Sequence, residues 1–260
     1  MATAAVNGQN IYFEDTNGRG PPLIFSHGFL LDREQYAPEI QVLRHSYRCV
    51  AWDQRGFGQT GEAATPFTYW DSAEDLLALM SALKIDKAIL IGLSQGAFLS
   101  MRAALLAPDR VKGLVLISTR AGLDTPDTIA NFRGLDVEWR ENGSTRAAGG
   151  LADVLIGSGA DHASWITKWS KMSKTALSHP IRALTERDDL TPRLAEIKCP
   201  ALVLHGDADV AIEVKHGRDL AASLPNCKRF VEIAGAGHAP TLTHAPDLIG
   251  PLEEFVSEFG

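Results

Sequence analysis

A mostly parallel, doubly wound α/β sheet is the fold class this chain predicts, and three observations predict it. Short unbroken apolar runs recur at Pro22–Ser26, Ala88–Ile91, Val111–Ile117 and Pro200–His205, as expected of strands buried on both faces. Between the earlier runs the pattern becomes helical, giving the strand–helix–strand order that parallel pairing requires. Finally, Ala88–Ile91 leads through Gly92-Leu93-Ser94-Gln95-Gly96 into a helix whose face is small at Ala97, Ser100, Ala103 and Ala104. Gly-x-Ser-x-Gly acquires chemical meaning at a strand-to-helix turn, and that is its setting here.

Taken in order, Gln9–Glu14 mixes polar and apolar residues as an edge strand does, and Asn17–Gly20 is a turn. Pro22–Ser26 is a core strand running into His27-Gly28-Phe29-Leu30-Leu31-Asp32. Tyr47–Asp53 is the next strand and closes on Gln54-Arg55-Gly56-Phe57-Gly58. From Asp71 onward Ala73, Leu76, Leu77, Met80 and Leu83 share a helical face, with Asp71 or Ser72 available as the cap. Helix Ala97–Ala107 and strand Val111–Ile117 follow. Between about Arg120 and Glu196 no strand pattern occurs. Trp139, Trp165 and Trp169 lie there in polar-rich helical stretches separated by Gly143, Gly149-Gly150 and Gly157-Ser158-Gly159. That segment reads as a helical insertion over the carboxyl edge of the sheet. The sheet resumes at Pro200–His205 and Arg229–Ile233, and a helix from Pro246 to Phe259 ends the sequence.

Composition narrows the function. The 260 residues carry a net charge of −7, with no Lys/Arg cluster, which argues against a nucleic-acid partner. No apolar run approaches the roughly 18 to 20 residues that cross a bilayer, so no membrane partner is expected. Met1–Gly8 has neither a basic region nor an apolar stretch, and Cys49, Cys199 and Cys227 are odd in number, far apart and outside any metal spacing. Free thiols in a reducing compartment, hence a cytoplasmic location and no metal, are the expectation.

Ser94 would stand at the carboxyl edge of the sheet, with a helix amino terminus beneath it. An activated serine needs a base within reach and a carboxylate to orient that base, both from loops at the same edge. Strand 200–205 ends in Gly206-Asp207-Ala208-Asp209, and strand 229–233 ends in Gly235-Ala236-Gly237-His238. Asp207 and Asp209 are both candidates for the acid, and His238 is the candidate base. The backbone N–H of Gln95, directly after Ser94, is a natural oxyanion donor. Gly56-Phe57-Gly58-Gln59-Thr60-Gly61 matches a dinucleotide-binding pattern, but Glu62–Pro66 does not continue as the helix a pyrophosphate would need. That loop is expected to brace His27 instead.

Together Phe25–Asp32, Asp53–Gly58, Gly92–Gly96, His205–Asp209 and Gly235–His238 resemble the α/β-hydrolase superfamily, in its small esterase, lactonase and cofactor-free haloperoxidase-like branch. The resemblance implies a core of residues 1–119 and 197–260, with a helical cap, residues 120–196, inserted after the sixth core strand. It selects Asp209 as the acid and leaves Asp207 as a turn residue. It makes His27 structural, and places the second oxyanion donor on the N–H of Phe29, whose ring is also a candidate wall for the acyl pocket or a packing residue. His205, His216 and His244 are expected to be packing or surface residues. Two departures stand out: Thr243 occupies a position where the family often has Glu, and Val210-Ala211-Ile212 lacks a proline common there. The implied activity is a serine hydrolase of small, partly apolar esters or lactones, working through an acyl-enzyme without metal or organic cofactor. Alternatives are perhydrolysis or C–C bond hydrolysis with the same triad, or a ligand receptor with negligible turnover. The partner is a small-molecule substrate, and the sequence leaves a homo-oligomer open.

Overall fold

The computed structural model describes residues 2–157 and 161–259. Ser158 and Gly159, two of the residues read as a separator in the insertion, lie outside the described residues. Eight strands form one sheet: β1 (Ala2–Val6), β2 (Gln9–Asp15), β3 (Pro22–Ser26), β4 (Arg48–Trp52), β5 (Ala88–Leu93), β6 (Val111–Ile117), β7 (Ala201–Gly206) and β8 (Cys227–Ile233). Their spatial order is β1-β2-β4-β3-β5-β6-β7-β8. The β1–β2 and β2–β4 pairs are antiparallel, and every pair from β4 through β3, β5, β6 and β7 to β8 is parallel.

The edge reading of Gln9–Glu14 is corrected: β2 is internal, and the edge is β1. Only Val6 of β1 is buried, so its five residues carry no hydrophobic alternation by which the sequence would announce a strand. The central strands announce themselves because every residue of β5 and β7 is buried.

Ten α-helices accompany these strands among the described residues: α1 (Ala37–Leu43), α2 (Tyr69–Ala82), α3 (Gln95–Leu106), α4 (Pro126–Asn142), α5 (Ala148–Leu155), α6 (His162–Trp169), α7 (Ser178–Thr185), α8 (Val214–Ser223), α9 (Pro240–Thr243) and α10 (Ala245–Ser257). Helix α2 starts earlier than its apolar face suggests. Its cap is Thr68, whose hydroxyl accepts from the Asp71 N–H, while the Asp71 carboxylate accepts from the Thr68 N–H. Asp71 is therefore the reciprocal partner of a capping box, three residues inside the helix.

The core divides by face of the sheet. Ile24, Val50, Leu90 and Leu116 pack with α2 and α3, whereas Phe25, Ile91, Val115 and Leu204 pack with α10 and with residues from α4 to α6. Residues 120–196 leave after β6, the sixth strand, and return before β7. Among their described residues there are only helices, turns and loops. No described helix is long and apolar enough to cross a membrane. The register brings the strand ends level: Leu93 of β5 lies beside Ile117 of β6, and Ile117 beside Leu204 of β7. The loops after these strands, and after β8, therefore emerge along a single edge.

Candidate active site

Ser94 is the residue between β5 and α3, with φ 54° and ψ −114°, a conformation that an L-residue reaches only under strain. Sequence and packing both enforce it. A Cβ on Gly92 would lie 2.3 Å from the Gly96 carbonyl, and one on Gly96 would lie 2.0 Å from the Ser26 carbonyl oxygen. Only glycine lets the first turn of α3 close against the ends of β5 and β3. The Ser94 backbone is held as well: its N–H donates to Ile117 O at 2.9 Å, and its carbonyl accepts from the Thr119 hydroxyl at 3.2 Å.

The two other predicted residues meet at the same edge. His238 Nδ1 lies 2.9 Å from Asp209 Oδ2, and both side chains are buried. The other carboxylate oxygen, Oδ1, accepts from the N–H groups of Ala211 at 2.8 Å and Ile212 at 2.9 Å. The absence of proline at 211 and 212 keeps both donors in place, since a proline at either position would delete one. Burial alone would raise the Asp209 carboxyl. The positive charge available to His238, followed by hydrogen bonds from His205, His238 and the Ile212 amide, holds it well below the usual carboxylate range instead. Asp207 does what a turn residue does: its exposed carboxylate accepts from the Gly235 N–H at 2.7 Å, tying the β7 loop to the loop that carries His238. Ser94 Oγ makes no hydrogen bond to His238 among the described residues. Such contacts often tighten only when substrate arrives.

One member of this cluster was not legible in the sequence. His205, expected to be packing or surface, is fully buried, and its Nε2 lies 3.2 Å from Asp209 Oδ2 and 2.7 Å from Ile212 O. Its position four residues before Asp209 is the available signal. Thr243 replaces an acidic residue without leaving its loop loose. Its hydroxyl donates to Ala239 O at 3.3 Å and therefore accepts from His244 Nδ1 at 2.9 Å.

The β3 loop approaches Ser94 from the opposite side. Among the described residues, neither the Phe29 N–H nor the Gln95 N–H donates to any protein group. The latter is free because a first-turn amide has no partner within its helix. Leu30 adopts φ 59°, which turns the chain directly after Phe29. Gly28 N–H donates to Gln35 Oε1 at 2.9 Å. His27 accepts the Gln54 N–H on Nε2 at 2.9 Å, so Nδ1 carries the proton and donates to Gly28 O at 2.8 Å. Burial lowers the His27 pKa, against the opposing charge of Asp53, and keeps the ring neutral. The Gln54 amide donates to the His27 carbonyl and accepts from Gln95 Nε2 at 3.2 Å, which links this loop to the serine turn. The glycine pattern at 56–61 is a brace, as expected: Phe57 stands edge-on to His27 at 5.5 Å and to Phe29 at 5.7 Å, and the helix that follows Gly61 does not begin until Tyr69.

Helices α4 to α6 cover this edge. Phe132 meets the Phe29 ring at 5.8 Å, and Trp169 Nε1 donates to Leu30 O at 2.6 Å. Trp139 is buried and donates to Ser173 O, so both tryptophan N–H groups fix the covering segment rather than face a ligand. Ser94 and His238 are 7% and 4% exposed, which makes the site a closed one. A cleft of about 460 Å³ lies between Asp32, Phe57, Lys168 and Met172; Ser94, Asp209 and His238 do not line it, and Phe57, which packs on Phe29, is its link to the site. Among the described residues no group of three or more His, Cys, Asp or Glu side chains could hold a metal ion. Burial pushes the Cys49 and Cys199 thiols up to about 12 and about 11, which leaves them poor nucleophiles.

Sheet order, strained serine turn and Asp–His pair together define a class, and comparison with known proteins gives the same one. Residues 21–143 match the family described as alpha/beta hydrolase fold. A Synechocystis sp. protein provisionally named a non-heme chloroperoxidase is 30% identical, over 94% of this chain and 93% of its own. Among solved structures, a thermophilic esterase from Thermogutta terrifontis superposes with a TM-score of 0.89 at 28% identity, covering 99% of this chain and 97% of that one. The enol-lactonase from Burkholderia xenovorans does so with a TM-score of 0.89 at 26% identity, covering 98% of this chain and 99% of that one. The chain belongs to the α/β-hydrolase fold family.

Proposed function

We propose that this protein is a serine hydrolase that cleaves small, partly apolar carboxylic esters or lactones through an acyl-enzyme. The observation that carries the reading is the His238–Asp209 hydrogen bond of 2.9 Å, on the same sheet edge as a strained serine with a free hydroxyl. With Nδ1–H donated to Asp209, His238 Nε2 is the bare nitrogen that takes the Ser94 proton as Oγ attacks the ester carbonyl. The Phe29 and Gln95 amides stabilise the oxyanion, and their freedom from other partners supports this role. The protonated His238 then gives its proton to the departing alkoxide. Water, activated by the same nitrogen, releases the acid. Residues 120–196 act as the lid over a core of residues 1–119 and 197–260. Two relatives named as an esterase and an enol-lactonase support ester and lactone substrates.

Hydrolysis of p-nitrophenyl esters of increasing acyl length, alongside a panel of lactones, tests the proposal. Turnover of about 1 per second or more on at least one substrate is expected, within the usual enzyme range. A folded protein inert to the whole panel would overturn it. Asp209→Asn is expected to lower kcat by about 10³- to 10⁴-fold, because the amide favours the wrong imidazole tautomer. Asp207→Asn removes only a charge, because its amide oxygen can still accept from the Gly235 N–H, and should cost less than about tenfold. The opposite ranking would reassign the acid.

A second reading is favoured by the relative provisionally named a chloroperoxidase: the same triad acylated by a carboxylic acid and resolved by hydrogen peroxide to a peracid. Peroxide- and carboxylate-dependent bromination of a dye, faster than ester turnover, would select it.

A further inference from the structure

Asp209 Oδ2 faces two imidazoles, and only one of them has a part in the proposed ester chemistry. The second, His205, is the fifth residue of β7. Its Nε2 lies 2.7 Å from Ile212 O and 3.2 Å from Asp209 Oδ2, and the ring is fully buried. We propose that His205 is a positioning residue for the Asp209–His238 pair, a reading that rests on the assignment of that pair as the orienting acid and base. Its partners decide the tautomer. A carbonyl oxygen and a carboxylate oxygen only accept, so Nε2 carries a proton and shares it between them. Among the described residues Nδ1 has no partner, and helix α8 packs Gly217 so closely that a Cβ there would lie 2.5 Å from it. A second ring proton at Nδ1 would be buried and unanswered.

The gain is geometric. The last side-chain torsion of an aspartate is soft, and its carboxylate turns easily unless both oxygens are held. Here Oδ1 is fixed by the Ala211 and Ile212 amides and Oδ2 by His205 and His238. Ile212 is gripped twice, since its N–H goes to Asp209 and its carbonyl receives His205. His205 thus ties the rigid end of β7 to the loop it launches and sets the carboxylate plane into which His238 must donate. Arg120, a charged group reaching this loop from beyond the end of β6, donates to Ala211 O at 3.4 Å and pairs with Asp124 at 3.3 Å, which leaves the carboxylate plane to the histidine.

Two measurements test this. Two-bond ¹H–¹⁵N spectra of the native protein at pH 7.5 are expected to show His205 as the Nε2–H tautomer. An Nδ1–H tautomer cannot donate to Asp209 and would overturn the proposal without any variant. In kinetics, His205→Met fills similar space without a donor, whereas His205→Gln places an amide N–H near the position of Nε2. His205→Met is expected to lower kcat about tenfold with KM within about twofold, the effect of one shared hydrogen bond to a carboxylate, and His205→Gln to recover most of that loss. Wild-type kcat in His205→Met, or equal losses in both variants, would overturn it. Should the wild-type protein hydrolyse no ester, the proposed function fails while the tautomer still decides whether Asp209 is held in this way.

Discussion

Replacing Ser94 with alanine is expected to lower kcat on a p-nitrophenyl ester by about 10⁵- to 10⁶-fold and to leave the fold intact. The two halves of this expectation have separate grounds. Chemically, the free thiols cannot stand in: burial pushes the Cys49 and Cys199 thiols far above neutrality, and both lie away from the His238 edge, while the neighbouring Thr119 hydroxyl is committed to the Ser94 carbonyl. Structurally, everything that Ser94 contributes to the turn comes from its backbone, through the N–H on Ile117 and the carbonyl receiving Thr119, Ala97 and Phe98. Alanine keeps all four bonds and the same strained φ. Ser94→Gly is expected to be equally inactive and at least as stable as Ser94→Ala. Strain of about 1–3 kcal/mol at such a residue offsets the roughly 1 kcal/mol of extra chain entropy that glycine loses on folding. Thermal unfolding beside the esterase assay checks both halves. Turnover in Ser94→Ala within about a hundredfold of wild type would move the nucleophile elsewhere.

What could be read from the sequence divides along a physical line. Strands β3, β5, β6 and β7 are covered on both faces, so burial leaves an unbroken apolar run that needs no partner to be recognised. Strand β1 is mostly exposed and is defined by its pairing with β2 across the Asn7-Gly8 turn, so no buried apolar pattern marks it. The same holds for the site. Ser94, Asp209 and His238 each follow a legible strand at a glycine-rich turn, and the structure brings the latter two to 2.9 Å. His205 sits inside a strand and reads as one more core residue, because its role depends on where Asp209 and Ile212 fold back over it. Thr68 is similarly obscured, since Asp71 satisfies the usual cap preference and only the reciprocal bond shows which residue lies outside the helix.

Glu39→Gln is expected to stabilise the protein at alkaline pH and to make it no more stable than wild type near pH 4.5. Glu39 lies in the first turn of α1, where the helix amino terminus favours a carboxylate by less than about 1 kcal/mol. Against this, the side chain is 1% exposed and neither oxygen has a hydrogen-bond partner among the described residues. Burial wins, and the folded-state pKa is pushed up to about 8 from an ordinary 4.5. That displacement sets the sign of the pH dependence. Below about 4.5 the group is protonated in both states and imposes no penalty. As pH rises the unfolded chain releases this proton while the folded one retains it, so stability falls, and the loss is complete above about 8. A glutamine carries no charge in either state and removes the slope. It should be roughly 2–4 kcal/mol more stable than wild type at pH 8.5, less than the full linkage of about 1.4 kcal/mol per pH unit because its own amide hydrogens stay unpartnered. Urea unfolding of both proteins at pH 4.5 and pH 8.5 measures this directly. An offset between them that is the same at both pH values would show that Glu39 ionises alike in the folded and unfolded chains, and would put water against those two oxygens in the folded protein.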